Sequence, residues 1–328
     1  MRAAITGWGT ALPRRVLTNH ELEELVDTDD TWIVERTGIR ERRIATGDET
    51  TASLGIAAGA EAIKSAGLTP DAIDLLVVAT TTPEQLMPHT GAFIADGLSL
   101  RCGSFDLGAS CSGYTYALVT AAALLTAGPL RHVLVIGSDT LTRNVDPDDR
   151  GTCILFGDGA AATVLSLSGD DGPGLLAWDF GCDGSATGVL GIPAGGSRLP
   201  STPENLASGG HYVKMQGREV FRRAVRAVVD SGMLALERAG VASSDVKWFL
   251  PHQANVRIID AAAQRLGIPR ERTIVNIERF GNTSAASIPL ALAEAADDGR
   301  FADGDLILLS GFGAGMGWAS ALVRWGRP

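Results

Sequence analysis

Residues 62–77 read AIKSAGLTPDAIDLLV: apolar positions at helical spacing, an Ala-Gly stop, a short polar turn and a continuous apolar run. The pattern predicts a helix, a break and a buried strand. Residues 235–250, ALERAGVASSDVKWFL, repeat it 173 positions later. The apolar runs VLVIGS and LILLSG begin at Val133 and Leu306, again 173 apart. Cys111 and Ser284 share the spacing, and an Ala-rich helical pattern follows each. Three agreements at one offset predict a duplicated α/β fold. The first half runs over 1–170 and the second over 171–328, with the Gly/Asp/Pro-rich SGDDGPG at 168–174 as the junction. The Gly/Ser/Pro-rich stretch near 181–210 reads as an insertion loop in the second half.

Composition narrows the partners. The chain is 45% hydrophobic and 20% charged, with a formal net charge of −10 over 328 residues. That balance argues against general attraction to nucleic acid or an anionic membrane. The opening MRAAITGWGTALP lacks the apolar run of a signal peptide, and no uncharged apolar segment of about 18 residues occurs. The expected location is cytoplasmic. The four cysteines form no CxxC pair and the five histidines complete no zinc pattern, so no metal site is expected and the thiols are free.

Three segments carry candidate chemistry. Cys111 lies in FDLGASCSGYTYALVTAAALL, where a strand-like FDL passes through small residues into a long helical run. A thiol at a helix N-terminus is expected to be biased toward thiolate, which makes Cys111 a candidate nucleophile. His252 follows the apolar strand KWFLP, at the strand end where α/β folds gather functional groups; its counterpart in the first half is Ala79. Asn282 opens the turn of GNTSAAS, and the duplication places it opposite Cys111. The glycines of GFGAGMGW at 311–318 do not make a dinucleotide fingerprint, because only a strand-like WASALVRW follows and no helix. They are expected to form a turn between two strands, with backbone amides near a substrate.

With these segments in hand, the chain resembles the β-ketoacyl-acyl carrier protein synthase III family of the thiolase superfamily, essentially end to end. The resemblance rests on WIVERTGIRERR at 32–43, the Cys111 segment, DDRGTCILFGDGAAA at 148–162, PHQAN at 251–255, GNTSAAS at 281–287 and GFGAG at 311–315. It implies a five-layered αβαβα fold, a homodimer and a catalytic set of Cys111, His252 and Asn282. It further implies an oxyanion hole from the N–H groups of Cys111 and Ala314. A coenzyme A tunnel is implied at Thr28, Trp32, Arg36, Arg150, Gly151, Phe221, Ala254 and Asn255, with Trp32 and Arg150 flanking the adenine. Met87 and Leu141 match acyl-pocket positions, Met87 where some members reach across the dimer with Phe. Arg222, Arg257 and Arg265 match basic residues that dock the carrier protein.

The implied reaction is a decarboxylative condensation of an acyl-CoA with malonyl-acyl carrier protein through acyl-Cys111, without metal or redox cofactor. An acyltransferase on the same scaffold, delivering the acyl group to an alcohol or amine, is the alternative. A non-catalytic partner subunit is a further alternative, disfavoured by the presence of all three residues.

Overall fold

A computed structural model describes residues 1–328. The apolar runs pair into two sheets of matching order. Strands β1 (Arg2–Ala11), β2 (Leu75–Ala79), β3 (Gly103–Leu107), β4 (His132–Asp139) and β5 (Gly159–Ser168) form the first, in the order β1-β5-β4-β2-β3. Strands β6 (Gly174–Cys182), β7 (Trp248–Pro251), β8 (Leu306–Gly313) and β9 (Gly317–Arg324) form the second, in the order β6-β9-β8-β7. In both, two antiparallel pairings are followed by a parallel one. Edge strand β3 has no strand counterpart in the second sheet, where Phe249 makes only an isolated bridge to Thr273. The chain crosses between sheets in the short interval from Ser168 to Gly174.

Seven helices complete the frame. Helix α1 (Asp30–Thr37) belongs to an N-terminal excursion. Helices α2 (Thr51–Ser65) and α3 (Thr90–Gly97) cover the outer face of the first sheet, burying Ala58, Ala62 and Ile94 against Leu76 and Ile136. Helix α4 (Gly113–Ala127) lies between the sheets, where its Tyr114, Leu118 and Leu125 meet Val77, Val135, Leu309 and Val323. A helix buried along most of its length is largely apolar, as YTYALVTAAALL is, although its last turns reach the surface with Leu124 42% exposed. Helices α5 (Gly217–Ala239) and α6 (Val256–Leu266) cover the outer face of the second sheet through Val225, Val228, Leu236 and Ile258. Helix α7 (Ser287–Asp297) shares the middle layer with α4, and burying its Ile288 and Leu292 there stabilises the fold by about 1.5–3 kcal/mol each. The result is the thiolase-like αβαβα architecture.

The pairing register corrects the repeat offset. Leu75 sits beside Val133, and Trp248 beside Ile307. The first residues of these pairs are 173 apart, but the second are 174 apart, so the second half carries one extra residue between β7 and β8. The structural counterpart of Cys111 is therefore Ala285, not Ser284. Backbone conformation agrees. Ser110 and Ser284 hold the rare positive φ values of 49° and 51°. Each opens a short 3-10 turn that leads into α4 or α7.

Candidate active site

Cys111 sits in the tight turn Ser110–Ser112, between the end of β3 and the start of α4. It is 8% exposed. The backbone of Gly313 presses on it: a Cβ there would lie 2.7 Å from the Cys111 nitrogen, so only glycine lets the end of β8 come this close. Ala314, the next residue, starts the one-turn link between β8 and β9. That link is the turn between strands expected from GFGAGMGW. Ser284 Oγ lies 3.5 Å from Cys111 Sγ.

Burial overturns the expectation of a resting thiolate. Removal from water pushes the Cys111 thiol up to about 12, the neighbouring Asp139 charge adds to the rise, and the Ser284 hydroxyl opposes it. The nucleophile rests as a thiol, because the cost of burying an unpaired sulfur anion outweighs the stabilisation that a helix N-terminus offers.

His252 follows β7 and is anchored by its own N–H, which donates to Ser310 O at 2.8 Å. Its ring meets Phe312 edge-on at 5.3 Å. Burial holds the imidazole near a pKa of 3, so it is neutral at physiological pH. The tautomer follows from its neighbours. Nδ1 lies 2.5 Å from Ser287 Oγ, which also accepts the Gln253 N–H at 3.4 Å. The Ser287 hydroxyl proton is then free to be donated to Nδ1, which leaves the ring proton on Nε2.

Asn282 is clamped by the other half of the molecule. Its N–H donates to Leu155 O at 2.8 Å and its carbonyl accepts from Gly157 N at 3.0 Å. Gly157 permits this approach, since a Cβ there would stand 2.3 Å from Phe280 O. The Ser284 N–H donates to Asn282 Oδ1 at 2.9 Å, which fixes the amide orientation and leaves Nδ2 as a donor. The Leu155 segment is in turn held by Arg42, fully buried and without a carboxylate partner. Arg42 donates to Ile154 O at 2.7 Å and Asn19 Oδ1 at 2.8 Å, and burial lowers its guanidinium to about 10.

Cys111, His252 and Asn282 line one cavity of about 740 Å³. Trp32, Arg36, Gly151, Phe221, Ala254 and Asn255 line it too, as does Arg257. So does Arg218, which sequence reasoning missed. Arg36, Arg218 and Arg257 are exposed, whereas the Cys-His-Asn set is buried. The cavity thus runs from a cationic rim to a buried reactive end.

Other expected site residues lie elsewhere. Arg150 does not line the cavity; its guanidinium carbon is 4.8 Å from the Trp32 ring centre and its side chain bonds Asp27 O at 2.6 Å. Arg36 lies over the same ring at 4.5 Å. A purine between Trp32 and Arg150 needs about 7 Å, two stacking contacts, so the slot is closed until Arg150 swings out. Thr28 is outside the cavity, its hydroxyl buried without a partner. Leu141 is 4% exposed and packs in the cluster behind Leu155 and Phe156 instead of lining the cavity. Met87 is 84% exposed and does not line this chain's cavity. Apolar side chains that do line the cavity include Phe156, Leu190 and Met215.

The docking arginines divide. Arg222 and Arg265 line a second groove together with Arg223 and Arg226, while Arg257 belongs to the first cavity. Arg222 is already paired with Glu219 at 2.7 Å. Of the remaining cysteines, Cys153 is buried and Cys102 half-buried, but Cys182 is exposed, unlike the buried filler a lone cysteine usually is. Ser287 and Phe312 lie within the GNTSAAS and GFGAG motifs without having been assigned a role, and Asp139 lies outside every motif. Only the charge of Asp139 at the end of an apolar strand was a signal.

Comparison with known proteins agrees with this architecture. Residues 105–184 match the family model for 3-oxoacyl-[acyl-carrier-protein] synthase III, and residues 236–325 match the model for its C-terminal part. The chain is 49% identical over 324 residues to the β-ketoacyl-[acyl-carrier-protein] synthase III of Roseiflexus castenholzii, covering 98% of each chain. It is 48% identical to that of Erythrobacter litoralis, covering 99% of this chain and 100% of the relative. The crystal structure of 3-oxoacyl-[acyl-carrier-protein] synthase III from Aquifex aeolicus is similar with a TM-score of 0.91 at 43% identity, covering 98% of this chain and 100% of that one. The priming β-ketosynthase of the R1128 polyketide biosynthetic pathway is similar at 0.91 and 39%, covering 99% and 97%. A buried thiol that shares one cavity with two N–H donors, on a duplicated αβαβα frame and with full-length identity near one half, places this chain in the 3-oxoacyl-[acyl-carrier-protein] synthase III family.

Proposed function

We propose that this enzyme condenses an acyl group, taken from an acyl-CoA onto Cys111, with malonyl-acyl carrier protein to give a 3-oxoacyl-acyl carrier protein. The observation that carries the reading is a pair of N–H donors in the same cavity as the thiol. Asn282 Nδ2 and His252 Nε2 are the atoms left free once Ser284 and Ser287 have engaged the other side of each group.

Cys111 sulfur attacks the thioester carbonyl, and the oxyanion rests on the N–H groups of Cys111 and Ala314. Coenzyme A leaves. Malonyl thioester then enters, and His252 and Asn282 donate to its carbonyl oxygen. Carbon dioxide departs as negative charge gathers on that oxygen, and the resulting carbanion attacks the acyl carbon, breaking its bond to Cys111 sulfur, which leaves as thiolate and regains a proton. His252 does this as a neutral donor, because its buried ring does not hold a second proton. Each donor aimed at developing charge is worth about 10²–10³-fold.

The unpaired arginines of the rim, Arg36, Arg218 and Arg257, suit the phosphates of coenzyme A, and Trp32 offers an aromatic face to its base. In this reading residues 1–170 supply the nucleophile and 171–328 supply His252 and Asn282. The functional unit is a homodimer, with Met87 facing the partner's acyl pocket, and it works in the cytoplasm. Arg222, Arg257 and Arg265 take the acidic carrier protein. Incubation with a panel of acyl-CoAs, followed by intact-mass analysis and then by addition of malonyl-acyl carrier protein, tests the reading. A retained acyl group that malonyl-acyl carrier protein discharges as a 3-oxoacyl product is the expected result. Discharge to an alcohol or amine without loss of carbon dioxide would favour the acyltransferase alternative.

A further inference from the structure

The Cys111 proton has no evident destination. The thiol is protonated in its buried site, held up to about 12. The neighbouring imidazole resists a second proton, since burial holds it near 3. Moving the proton from Cys111 to His252 would create two charges in a region that stabilises neither.

One buried anion does adjoin the thiol. Asp139 ends strand β4 with no exposed surface. Its Oδ1 accepts Thr81 N at 2.6 Å, Thr82 N at 3.0 Å, Thr82 Oγ1 at 3.0 Å and Thr80 Oγ1 at 3.1 Å. Its Oδ2 accepts Ala285 N at 3.0 Å. Burial raises its pKa, while these donors and the Ser284 hydroxyl favour its charged form. Ser284 precedes the Ala285 whose N–H binds Asp139, and its Oγ lies 3.5 Å from the sulfur. A hydroxyl can accept one proton while giving up its own. Ser284 is held there in a backbone conformation at φ 51° that a non-glycine residue rarely adopts. Such residues persist where the surroundings fix them, and here the Ser284 N–H bond to Asn282 and the Ala285 N–H bond to Asp139 do so.

We propose that Ser284 and Asp139 form a proton relay that activates Cys111 for acylation. As sulfur attacks the thioester carbon, the S–H bond breaks and its proton passes to Ser284 Oγ. The Ser284 hydroxyl proton passes in the same motion to the Asp139 carboxylate. The new S–C bond forms and the carbonyl electron pair moves to oxygen. When the tetrahedral adduct collapses, the C–S bond to coenzyme A breaks. The departing thiolate recovers a proton from Ser284, which is reprotonated by Asp139. Atoms and charge balance: acyl-CoA and thiol become acyl-Cys111 and free coenzyme A thiol. The physical gain is that the number of buried charges does not change on activation. A single negative charge moves from the buried carboxylate to the carbonyl oxygen of the adduct, so no second buried charge is created. Ser284 touches the reacting sulfur and is a catalytic residue; Asp139 acts through it as a positioning residue and proton acceptor.

The proposal rests on Cys111 acylation by acyl-CoA, so the wild-type protein is measured first, with acetyl-, butyryl-, isobutyryl- and hexanoyl-CoA. No acyl mass on Cys111 with any of them defeats the functional reading itself. Given acylation, single-turnover rates are compared for wild type, Ser284→Ala, Ser284→Gly and Asp139→Asn in mixtures of H₂O and D₂O. Glycine suits the positive φ, so Ser284→Gly guards against a failure of Ser284→Ala to fold. The expected result is acylation slowed about 100-fold in both Ser284 variants, with the acyl-CoA concentration dependence unchanged. The wild-type rate should curve against deuterium fraction, as two protons in flight require, and the curvature should vanish in every variant. A folded Ser284 variant that acylates within about threefold of wild type would overturn the relay. So would a slowed variant that retains the wild-type deuterium curve.

Discussion

The turn that holds Cys111 and its structural twin around Ala285 share a backbone but not a task. Both begin with a serine at positive φ, pass through a 3-10 turn and enter a buried helix of the middle layer. The first presents a thiol. The second presents only the methyl of Ala285 at the equivalent position, while its neighbours carry the polar contacts: Ser284 N–H on Asn282, Ser284 Oγ against the sulfur and the Ala285 N–H on Asp139. Duplication supplied one geometry twice, and the pseudo-twofold contact let the copies divide the chemistry. The strand ends divide in the same way, with His252 at one and Ala79 at the other.

The largest effect should come from emptying the first turn. Cys111→Ala should acquire no acyl mass from any acyl-CoA, while its circular dichroism matches wild type. An acyl group retained by that variant would break the division outright. Next in size are the donors of the second half. Asn282→Ala and His252→Ala should each lower condensation about 10²–10³-fold while acylation of Cys111 persists, read by separate single-turnover assays of the two half-reactions. Equal loss in both half-reactions would mean that the two turns act as one unit.

A smaller effect concerns stability, and its sign follows from the buried imidazole. His252 has a folded pKa of about 3 against about 6.5 when unfolded. Below about pH 6.5 the unfolded chain takes up a proton that the folded one refuses, so this residue withdraws stability as pH falls toward 3, by about 1.4 kcal/mol per unit. Above pH 6.5 it contributes nothing. His252→Gln should therefore gain thermal stability relative to wild type on going from pH 6.5 to 4.5, with a constant difference from pH 7 to 8. A difference that does not change with pH would show that the ring takes its proton in place.

The smallest expected effects are at the rim and the groove. Arg257 lines the reactive cavity, so Arg257→Glu should raise KM several-fold for acyl-CoA as well as for malonyl-acyl carrier protein. Arg265 lines only the second groove, so Arg265→Glu should weaken use of the carrier protein alone and reduce its salt sensitivity. Steady-state kinetics with the two substrates separates the cases. Equal behaviour of the two variants would merge the rim and the groove into one docking surface.

The sequence by itself determined the layered α/β class, the crossing between β5 and β6, the turn between β8 and β9, and the choice of Cys111, His252 and Asn282 as candidates, which the fold brings to one cavity. These are legible because periodicity, turn residues and strand-end chemistry are local, and because a duplication repeats local patterns. Tertiary structure decided the rest. The extra residue that makes Ala285 the twin of Cys111 shows only when Trp248 pairs with Ile307. The protonation of Cys111 and His252 depends on how completely other segments exclude water, which no local pattern records. Arg150 closes on Trp32 because Asp27 holds it there, and Leu141 falls behind the cavity because Leu155 and Phe156 stand in front. Asp139 was one acidic residue among 38 Asp and Glu until the fold buried it behind the nucleophile. Local chemistry names the reactive groups, but their charge states and neighbours are set by contacts between residues far apart in the chain.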